Sequence, residues 1–589
     1  MIQNDRDLLT DPIEVANSMN VFFANIAENI GNDKDLPSSA EYTSTEAFVD
    51  KALNYHQNHP SVTNIKDNNC SVNFKFKHTD EKSVSKIIKQ LDPKKATGFD
   101  KIPAKALIAG YDILAAPLTR LYNKCVDTSS FPKEAKKAEV IPIYKKENAL
   151  LKKNHRPVSI LPSTSKVLEK LMESDLNENW LNAIYNSSLS AFRTGYSCQH
   201  VLLDLVDKWR QAKESKQIPG LLLADLSKAF DSLPHSLILS KLKAYGMDYN
   251  SVIFLSDYLS DRHQRVKVGN NVSSLANINK GVPQGSILGP IVFNIYMNDI
   301  FTNINDGILF NYADDNSILV TGQNREQVIS KLTSATESIT KWCLDNQMEA
   351  NPSKFQALIA DESEPVLLQI DGNTEITSEP YVKLLGVLID NKLSFNQHVS
   401  EVIKKSSRQL NCLKRVAYSL DTKTRLLLYK TFVSSNFNYC AVVWHNCGKS
   451  NTNKIEKIQH RALKFIYSDY KSDYQTLLSK ANIPSLELAR LRLISIEVFK
   501  IFHRISPPFL RDGFNFSTSR YNLRSGPRTM QRGHLRTTKF GLLSFRTFGT
   551  KVWNSLPAHI RDTTDFKTFR SLIKTWFGDL CKCNACKQI

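Results

Sequence analysis

Three aspartates stand in two apolar segments, and carboxylates so placed could do chemistry. Asp314 and Asp315 are adjacent in ILFNYADDNSILV (308–320), whose apolar arms around a polar centre predict a β-hairpin with both carboxylates at its turn. Adjacent carboxylates repel each other unless a cation bridges them or the turn is solvated. The pair is therefore either an ordinary acidic turn or part of a metal site.

A second segment supplies the third carboxylate. LLLADLSKAFDSLPHSLILSKL (221–242) opens with an apolar strand that carries Asp225; Asp231 lies six residues on, after Phe230, and a helix is expected after Pro234. One carboxylate at a strand end and two at a turn could hold two divalent cations about 4 Å apart, which stabilises the attacking and leaving oxygens of a phosphoryl transfer. Mg²⁺ is the expected ion because it prefers carboxylates and phosphate oxygens.

A glycine-rich loop lies between these segments. In KGVPQGSILGPIVFNIYMNDI (280–300), Gly281 and Gly285 would let the backbone approach a substrate at the start of an apolar helix. The amide of Gln284 could hydrogen-bond a nucleotide. Taken alone, such a loop is weak evidence for a nucleotide site.

In chain order, DLSKAFD (225–231), GVPQGSILGP (281–290) and YADD (312–315) resemble motifs A, B and C of reverse transcriptases. The amino-acid sequences of these motifs are similar to those of non-LTR (LINE-type) retrotransposons of the jockey-like group. Five further blocks resemble the same family: KATGFDKIPAKAL (95–107), AEVIPIYKKENALLKKNHRPVSILPSTSKVLEKLM (138–172), LSAFRTGYSCQHVLLDL (189–205), NPSKF (351–355) and KLLGVLID (383–390). Of these, NPSKF resembles motif D and KLLGVLID resembles the primer grip. The resemblance covers roughly residues 90–505.

The resemblance implies roles at the matching positions. Asp225, Asp314 and Asp315 would be the catalytic, metal-binding triad, with two Mg²⁺ ions and Mn²⁺ as a substitute. Phe230 would be the steric gate that rejects a ribose 2′-hydroxyl. Asp231 would support the structure or contact the ribose.

The resemblance also implies nucleotide contacts outside motif A. Gln284 and Gly285 would contact the incoming nucleotide, and Lys145 and Arg156 would bind its triphosphate. Lys354 would donate a proton to the pyrophosphate, unless it is an ordinary surface lysine. Three nearby lysines compete for the role on the triphosphate: Lys136, Lys137 and Lys146.

The positive charge is concentrated in the last third of the chain. Lys and Arg number 77 against 58 Asp and Glu, a formal charge of +19 over 589 residues. Residues 401–589 hold 34 basic and 11 acidic residues, or +23, while the first 400 sum to −4. A field of one sign is typical of a surface that binds a polyanion, and the alternative is a basic solubilising tail.

One predicted helix displays this charge on one side. On a helical wheel of 453–467, four cations fall within about 80° of one another, beside an apolar face, and could follow a nucleic-acid backbone. The alternative is a merely solvated face. The four cations are Lys454, Lys457, Arg461 and Lys464.

The terminal region, 506–589, mixes arginines with aromatic residues, a composition suited to single-stranded RNA or DNA. At its end, Cys581, Cys583 and Cys586 could bind Zn²⁺ with a fourth ligand. That ligand is not evident nearby, and His445 or Cys447 would have to fold back.

Composition excludes other classes. With 41% hydrophobic and 23% charged residues, the chain is an ordinary globular mixture. It contains no run near the roughly 18 apolar residues of a membrane span and no signal-peptide layout at its start, so we expect no membrane partner. Ten dispersed cysteines indicate a reducing, intracellular compartment, for which we expect the cytoplasm and nucleus.

We therefore expect an α+β right-hand polymerase. The expected domains are a helical N-terminal extension (1–90), an upstream fingers extension (91–124), fingers and palm (125–390), a helical thumb (391–505) and a basic nucleic-acid-binding segment (506–589). The partners would be an RNA template, a DNA primer or target DNA, and dNTPs, in target-primed retrotransposition; the oligomeric state stays open.

Two alternatives to this function stay open. One is a nucleic-acid-binding protein with an inactive or unused polymerase fold. The other is an RNA-dependent RNA polymerase, against which Phe230 and YADD in place of a Gly-Asp-Asp turn argue. We expect neither an endonuclease domain, because only about 90 residues precede the matching blocks, nor an RNase H domain, because the last 85 residues are too few.

Overall fold

The computed structural model describes residues 1–4, 7–28, 30–31, 36–68, 72–361, 364–370, 374–516, 529–531, 535–537 and 540–577. Cys581, Cys583 and Cys586 lie outside these residues, so the Zn²⁺ hypothesis stays a prediction. The chain forms two compact units: the first comprises 1–192, 225–305 and 338–351, and the second comprises 193–224, 306–337 and 352–589. The bounds of the five expected domains also stay predictions.

Helices dominate both ends of the described chain. The first twelve are α1 (Pro12–Ala24), α2 (Thr45–Tyr55), α3 (Pro60–Asn68), α4 (Glu81–Lys89), α5 (Ala104–Ala109), α6 (Tyr111–Thr128), α7 (Ser163–Glu178), α8 (Trp180–Ile184), α9 (Cys198–Glu214), α10 (His235–Ala244), α11 (Tyr249–Leu259) and α12 (Leu288–Met297). The later ones are α13 (Arg325–Asp345), α14 (Asn396–Val416), α15 (Thr422–Leu428), α16 (Ala441–Trp444), α17 (Lys449–Tyr467), α18 (Tyr474–Ala481), α19 (Leu486–Phe502), α20 (Pro508–Arg511), α21 (Phe545–Asn554), α22 (Ala558–Arg561) and α23 (Phe566–Leu572). None of the helices in the described part of the chain has the length and apolar character needed to cross a membrane.

Strands lie mainly in the middle of the chain. They are β1 (Ile2–Asn4), β2 (Asp7–Leu9), β3 (Lys137–Tyr144), β4 (His155–Ile160), β5 (Ile218–Ser227), β6 (Arg262–Val268), β7 (Asn271–Val272), β8 (Ala276–Ile278), β9 (Ile308–Tyr312), β10 (Asp315–Gly322), β11 (Glu349–Ala350), β12 (Gln356–Ile359), β13 (Leu367–Gln369), β14 (Glu375–Thr377), β15 (Tyr381–Leu384), β16 (Val387–Asp390), β17 (Asn515–Phe516) and β18 (Met530–Gln531). The chain is thus a mixed helix-and-sheet protein, as expected.

The first unit contains a sheet in the order β4-β3-β6-β7, with β8 also paired to β6. Strands β3 and β6 are parallel, and β3 and β4 form an antiparallel hairpin. Helix α1 covers this sheet and buries Met19 and Phe23 against Val140 and Val266. The helix begins where the Asp11 carboxylate accepts hydrogen bonds from two backbone amides of its first turn.

Strand β5 is the central element of a second sheet. The residues of β5 up to 224 belong to the second unit and lie beside β10. Strand β10 pairs antiparallel with β9. Strand β12 pairs antiparallel with the opposite edge of β5. Helix α9 packs onto this unit with an almost wholly buried surface, and Trp209 is 0% exposed. Strands β15 and β16 form a separate hairpin.

Helices account for most of residues 396–502 in the second unit. Asp421 caps α15, because its carboxylate accepts a hydrogen bond from the Thr424 amide at 3.1 Å. The described part of 506–589 packs into the same core: Phe499 of α19 stacks on Phe569, with ring centroids 4.2 Å apart. This part of the chain therefore forms core as well as carrying charge.

Candidate active site

The two adjacent carboxylates lie at the turn of a hairpin in the second unit, as predicted. Tyr312 pairs with Asp315, so Ala313 and Asp314 alone form the loop between β9 and β10. Both Asp314 and Asp315 are exposed. Ala313 has a φ of +57°, which L-residues rarely adopt, so the turn stores backbone strain beside the carboxylates.

Two buried asparagines hold this turn in shape. Asn311 donates from Nδ2 to the carbonyl oxygen of Ala313 at 2.8 Å and to Oδ1 of Asn316 at 2.9 Å. Asn316 donates to the carbonyl oxygen of Asp314 at 3.3 Å. The asparagines are 0% and 2% exposed. They were not among the predicted site residues; the signal that could have found them is one Asn in each arm, close to the turn.

Asp225 lies in β5 at the point where the division between the two units falls. The second unit includes residues up to Ala224, and Asp225 opens a segment of the first unit. Asp225 is half-buried, and its carbonyl oxygen accepts from the Asn351 amide at 3.0 Å. A strand therefore carries Asp225 as predicted, and the meeting of the three carboxylates stays a prediction.

The metal hypothesis fits the chemistry of these side chains. Oxygen ligands from carboxylates are those that hard divalent cations prefer, and Asp314 and Asp315 present theirs to solvent. Within the described ranges, no group of three or more His, Cys, Asp or Glu side chains is gathered so that it could hold a metal ion. The number and identity of the ions thus stay proposals.

Phe230 stands on the first unit, half-buried between two other rings. It stacks on Phe293 of α12 with centroids 4.1 Å apart and planes 11° apart, and it meets Phe192 edge-on at 5.9 Å. The ring is therefore part of a small aromatic cluster as well as a candidate gate.

The glycine-rich loop packs directly on the turn that carries Phe230. Val282 donates from its amide to the Phe230 carbonyl oxygen at 3.0 Å. Gly281 has a φ of +76°, and a Cβ there would lie 2.7 Å from the Cα of Asp231. Only glycine tolerates both the positive φ and the close approach of the two loops, which explains why residue 281 is a glycine.

Asp231 and Gln284, both predicted to serve the nucleotide, bind each other. Nε2 of Gln284 donates to both carboxylate oxygens of Asp231 at 2.8 Å each. Burial raises the pKa of Asp231 to about 6, against the opposing effects of the Gln284 hydrogen bond and the charges of Lys228 and Arg156. The pair lines a cavity of about 620 Å³ in this unit.

The loop also touches strand β4. The Ser159 amide donates to the Gln284 carbonyl oxygen at 2.8 Å. Gly285 has a φ of +131°, and a Cβ there would lie 2.3 Å from the Ser159 carbonyl oxygen. Gly285 is thus placed by a backbone contact within the first unit; its contact with a nucleotide stays a prediction.

The two predicted triphosphate cations lie on the β3–β4 hairpin. Arg156 pairs with Ile143 in the strand register, and the Lys145 amide donates to the Asn154 carbonyl oxygen at 2.9 Å, just beyond the last pair. Both Lys145 and Arg156 are exposed.

The three competing lysines all have acidic partners. Lys136 is buried and pairs with Asp257 at 2.9 Å, and burial lowers its pKa. Lys137 pairs with Glu134 at 2.8 Å, and Lys146 pairs with Glu147 at 3.3 Å. Lys136 in particular is unsuited to meet a triphosphate from solvent.

The remaining candidates lie in the second unit. Lys354 is exposed in a 3₁₀ turn, Pro352–Lys354. On α17 the predicted apolar face is buried, including Ile455 and Ala462. The four predicted cations follow the other side, with Lys454, Lys457 and Arg461 exposed and Lys464 half-buried. The helix and its basic face are therefore confirmed, and binding to nucleic acid stays a prediction.

The fold, the hairpin with its adjacent carboxylates and the glycine loop together define a class of protein. Residues 143–389 match the family described as reverse transcriptase (RNA-dependent DNA polymerase), so this part of the chain is similar to the proteins of that family. The family has the polymerase fold of fingers, palm and thumb, acts on a nucleic-acid template and primer with dNTPs, and uses divalent metal ions.

Three relatives that match a longer part of the chain are named as RNA-directed DNA polymerases of transposable elements. The chain is 27% identical over 399 residues to "Probable RNA-directed DNA polymerase from transposon BS" of Drosophila melanogaster, covering 65% of this chain and 44% of that protein. It is 26% identical over 400 residues to "RNA-directed DNA polymerase from mobile element jockey" of the same fly, covering 65% and 43%. "Probable RNA-directed DNA polymerase from transposon X-element", again from this fly, is 25% identical over 401 residues, covering 65% and 43%.

The predicted resemblance to a jockey-like reverse transcriptase is confirmed by these matches. The chain spans under half the length of the relatives that it matches here.

Proposed function

We propose that the chain is an RNA-directed DNA polymerase that adds dNTPs to a primer 3′-hydroxyl in the retrotransposition of a non-LTR element. The observation that carries this proposal is the β9–β10 turn: Asp314 and Asp315 stand in water on a strained loop that buried asparagines fix. Solvent-exposed carboxylates of an ordinary turn need no such support from a buried amide network.

The proposed metal ligands are Asp225, Asp314 and Asp315. Bound there, two Mg²⁺ ions would lower the pKa of the attacking hydroxyl and neutralise the leaving pyrophosphate, with Mn²⁺ as a substitute. The protein's own part is to hold the carboxylates in position before substrate arrives, and the asparagine network does this for two of them.

The nucleotide would be bound by groups on the first unit. Exposed Lys145 and Arg156 offer positive charge to its triphosphate, and Arg156 can do so with two parallel hydrogen bonds. Phe230 would exclude a 2′-hydroxyl. The carboxylate of Asp231 fixes the side-chain amide of Gln284, so Asp231 serves by orienting Gln284.

Template and primer would lie against the basic face of α17. Its cations are spaced along one side of a helix whose other side is buried, so each can meet a phosphate without disturbing the core. The described part of 506–589 adds further exposed cations, among them Lys567 and Arg570 of α23 and Lys574 just after it.

The test is primer extension on a poly(A) template with an oligo(dT) primer, dTTP and Mg²⁺. We expect extension with dTTP, much less with UTP, and none after chelation of the metal. Extension with UTP equal to that with dTTP would favour an RNA polymerase. Tight RNA binding without any extension would favour the alternative, a binding protein with an inactive polymerase fold.

A further inference from the structure

Buried polar side chains anchor the glycine-rich loop at both of its ends, and none of the roles proposed above uses them. At the start of the loop, Nε2 of His235 lies 2.8 Å from the carbonyl oxygen of Gly281. At its end, a carboxylate oxygen of Glu169 accepts a hydrogen bond from the Ile287 amide at 2.6 Å. Gln284, a proposed nucleotide contact, lies between these two points, and all of these residues belong to the first unit.

His235 is a neutral hydrogen-bond donor to the loop. A carbonyl oxygen only accepts hydrogen bonds, so Nε2 must carry the hydrogen that it donates to Gly281. His235 is 5% exposed, and burial lowers the pKa of its ring to about 4, so the ring is neutral at neutral pH. The Gly281 amide in turn donates to the Leu233 carbonyl oxygen at 2.8 Å. Both polar atoms of the Gly281 backbone are therefore held at the start of α10.

Glu169 is a fully buried carboxylate of α7 that accepts hydrogen bonds from three other groups. Its Oε2 accepts from the Ile287 amide, and its Oε1 accepts from the hydroxyls of Ser165 and Tyr258 at 3.2 Å each. Ile287 directly precedes α12, so Glu169 satisfies one of the amides that a helix leaves unpaired at its N-terminus. Because Tyr258 belongs to α11, Glu169 joins three helices at the end of the loop.

The loop needs such anchors because two of its residues are glycines in conformations that other residues rarely adopt. Gly281 and Gly285 have φ values of +76° and +131°. Glycine loses more backbone freedom than any other residue when it is ordered. The Asp231 carboxylate orients the side-chain amide of Gln284, and the two anchors fix the ends of the backbone segment from which that side chain extends.

We propose that His235 and Glu169 are positioning residues for the incoming dNTP, because they hold the two ends of the glycine-rich loop in the conformation that presents Gln284. This inference rests on the proposed function. A binding group that is already ordered does not have to be ordered by the ligand. Loss of either anchor should therefore weaken dNTP binding and leave the rate of the chemical step unchanged.

The experiment measures single-turnover primer extension by the full chain at a range of dTTP concentrations, which separates the Kd for dTTP from the maximal rate. His235→Leu and Glu169→Met each remove one anchor while keeping an apolar side chain in its place. We expect each to raise the Kd for dTTP about tenfold, the factor that corresponds to one hydrogen bond, with the maximal rate unchanged. A merely structural role would instead lower the fraction of chains that extend the primer, without changing the Kd of the others.

Two conservative variants keep a hydrogen bond at each anchor. His235→Gln retains a side-chain N–H donor, and Glu169→Gln retains an oxygen acceptor, so the Kd for dTTP should stay close to that of the unaltered chain. The matched control is Trp180→Phe, which removes the buried hydrogen bond from Trp180 Nε1 to the Tyr245 carbonyl oxygen, 3.2 Å long, elsewhere in the same unit. It should leave the Kd for dTTP unchanged.

Hydrogen exchange in the unaltered chain tests the inference without any substitution. If the anchors order the loop before a nucleotide arrives, the amides of Gly281 and Ile287 should exchange slowly in the free protein. Adding dTTP to a complex with a dideoxy-terminated primer should then change their exchange little. Rapid exchange that becomes slow only with dTTP would mean that the nucleotide, and not the anchors, orders the loop.

The outcomes separate this inference from the proposed function. An unchanged Kd for dTTP in either His235→Leu or Glu169→Met overturns this inference alone, and so does rapid exchange of the two amides in the free chain. If neither variant folds, the exchange measurement decides. Absence of extension by the unaltered chain overturns both this inference and the proposed function.

Discussion

The carboxylates and lysines of the second unit and the Asp231 side chain of the first unit are held in opposite ways. In the second unit, the charged candidates are exposed to solvent on well-packed backbone. Asp314 and Asp315 lie on a turn that hydrogen bonds from buried asparagines hold in place. Lys454 and Lys457 lie on a helix whose other side is buried. In the first unit, Asp231 is bound to its neighbour and half-buried. Substitutions at the exposed sites of the second unit should therefore change function alone, and those at Asp231 and Phe230 in the first unit should change function and stability together.

The largest expected effect is that of Asp314→Asn. If the carboxylates act as a unit on bound metal, removing one charge should lower dNTP incorporation by about 10³-fold or more. The side chain is exposed, so thermal stability and RNA affinity should not change. The measurements are primer extension, thermal unfolding and RNA binding.

The matched control for Asp314→Asn is Asp306→Asn. Asp306 is an exposed aspartate just before β9 whose carboxylate accepts from the Ser334 hydroxyl at 2.8 Å. It should keep full activity. Robust extension by Asp314→Asn would remove the turn from the catalytic site.

Next in size is the reversal of the basic face of α17. Changing its four cations to Glu should weaken RNA binding and make the slope of log K against log salt shallower by about 3 units, at roughly 0.7–0.9 per phosphate contact. The altered residues are Lys454, Lys457, Arg461 and Lys464. Equilibrium binding at several salt concentrations measures the slope, and circular dichroism should show an unchanged fold.

A second surface serves for comparison with α17. Lys567, Arg570 and Lys574 are exposed on or just after α23, and their change to Glu tests the terminal charge with the core left in place. If this variant loses as much affinity as the α17 variant, the terminal segment is an equal partner in binding. If neither loses affinity, the charge of the last third serves solubility and our assignment of the RNA surface is wrong.

Phe230→Ala tests the first unit. If the ring blocks a ribose 2′-hydroxyl, the preference for dNTP over rNTP should fall by about 10–100-fold. Because the ring stacks on Phe293, the variant should also lose about 0.5–1.5 kcal/mol of stability from the aromatic pair. An unchanged preference in a folded variant would place the gate elsewhere, and unchanged stability would contradict the contrast between the units.

The smallest expected effect concerns Asp231. Its pKa of about 6 in the folded protein exceeds the ordinary value of about 3.9, so folding favours the protonated form. The stability that this contributes is complete below about pH 4 and is lost as pH rises through about 6. Asp231→Asn should abolish that dependence, which denaturant unfolding between pH 4 and 8 measures.

The same residue should affect nucleotide binding in the opposite sense. Ionised Asp231 accepts from Gln284 more strongly, so the KM for dTTP should fall a few-fold as pH rises through about 6. In Asp231→Asn this change should be absent. A pH-independent KM in the unaltered chain would mean that Gln284 does not depend on its partner's charge.

Local patterns in the sequence predicted much of this molecule. The apolar arms of 308–320 predicted the hairpin, and helical spacing predicted which face of α17 is buried. Each of these depends on neighbours within about a dozen residues. The order of the motifs identified the resemblance to reverse transcriptases, because eight blocks in the same order are specific even though each block alone is weak evidence.

Contacts between residues that are far apart in the sequence could not be predicted, because no local sequence pattern encodes them. That Gln284 would be held by Asp231, 53 residues away, follows from how two loops pack and not from either loop. The packing of Phe569 on Phe499 was equally hidden, because an Arg-rich composition suggests solvated surface. Truncation before residue 506 would therefore remove core along with charge, so charge reversal is the cleaner test.

The packing of the C-terminal part of the chain also determines when α9 can complete its folding during translation. The carboxylate of Asp207 in α9 accepts from the Phe545 amide at 2.6 Å, across a sequence separation of 338 residues. At about 5–20 residues per second, a ribosome takes roughly 20–70 s to supply that partner. During this interval α9 lacks its contacts with the C-terminal part of the chain, so the second unit finishes folding only late in translation. Cells that make this protein should need chaperones to cover α9 until Phe545 emerges.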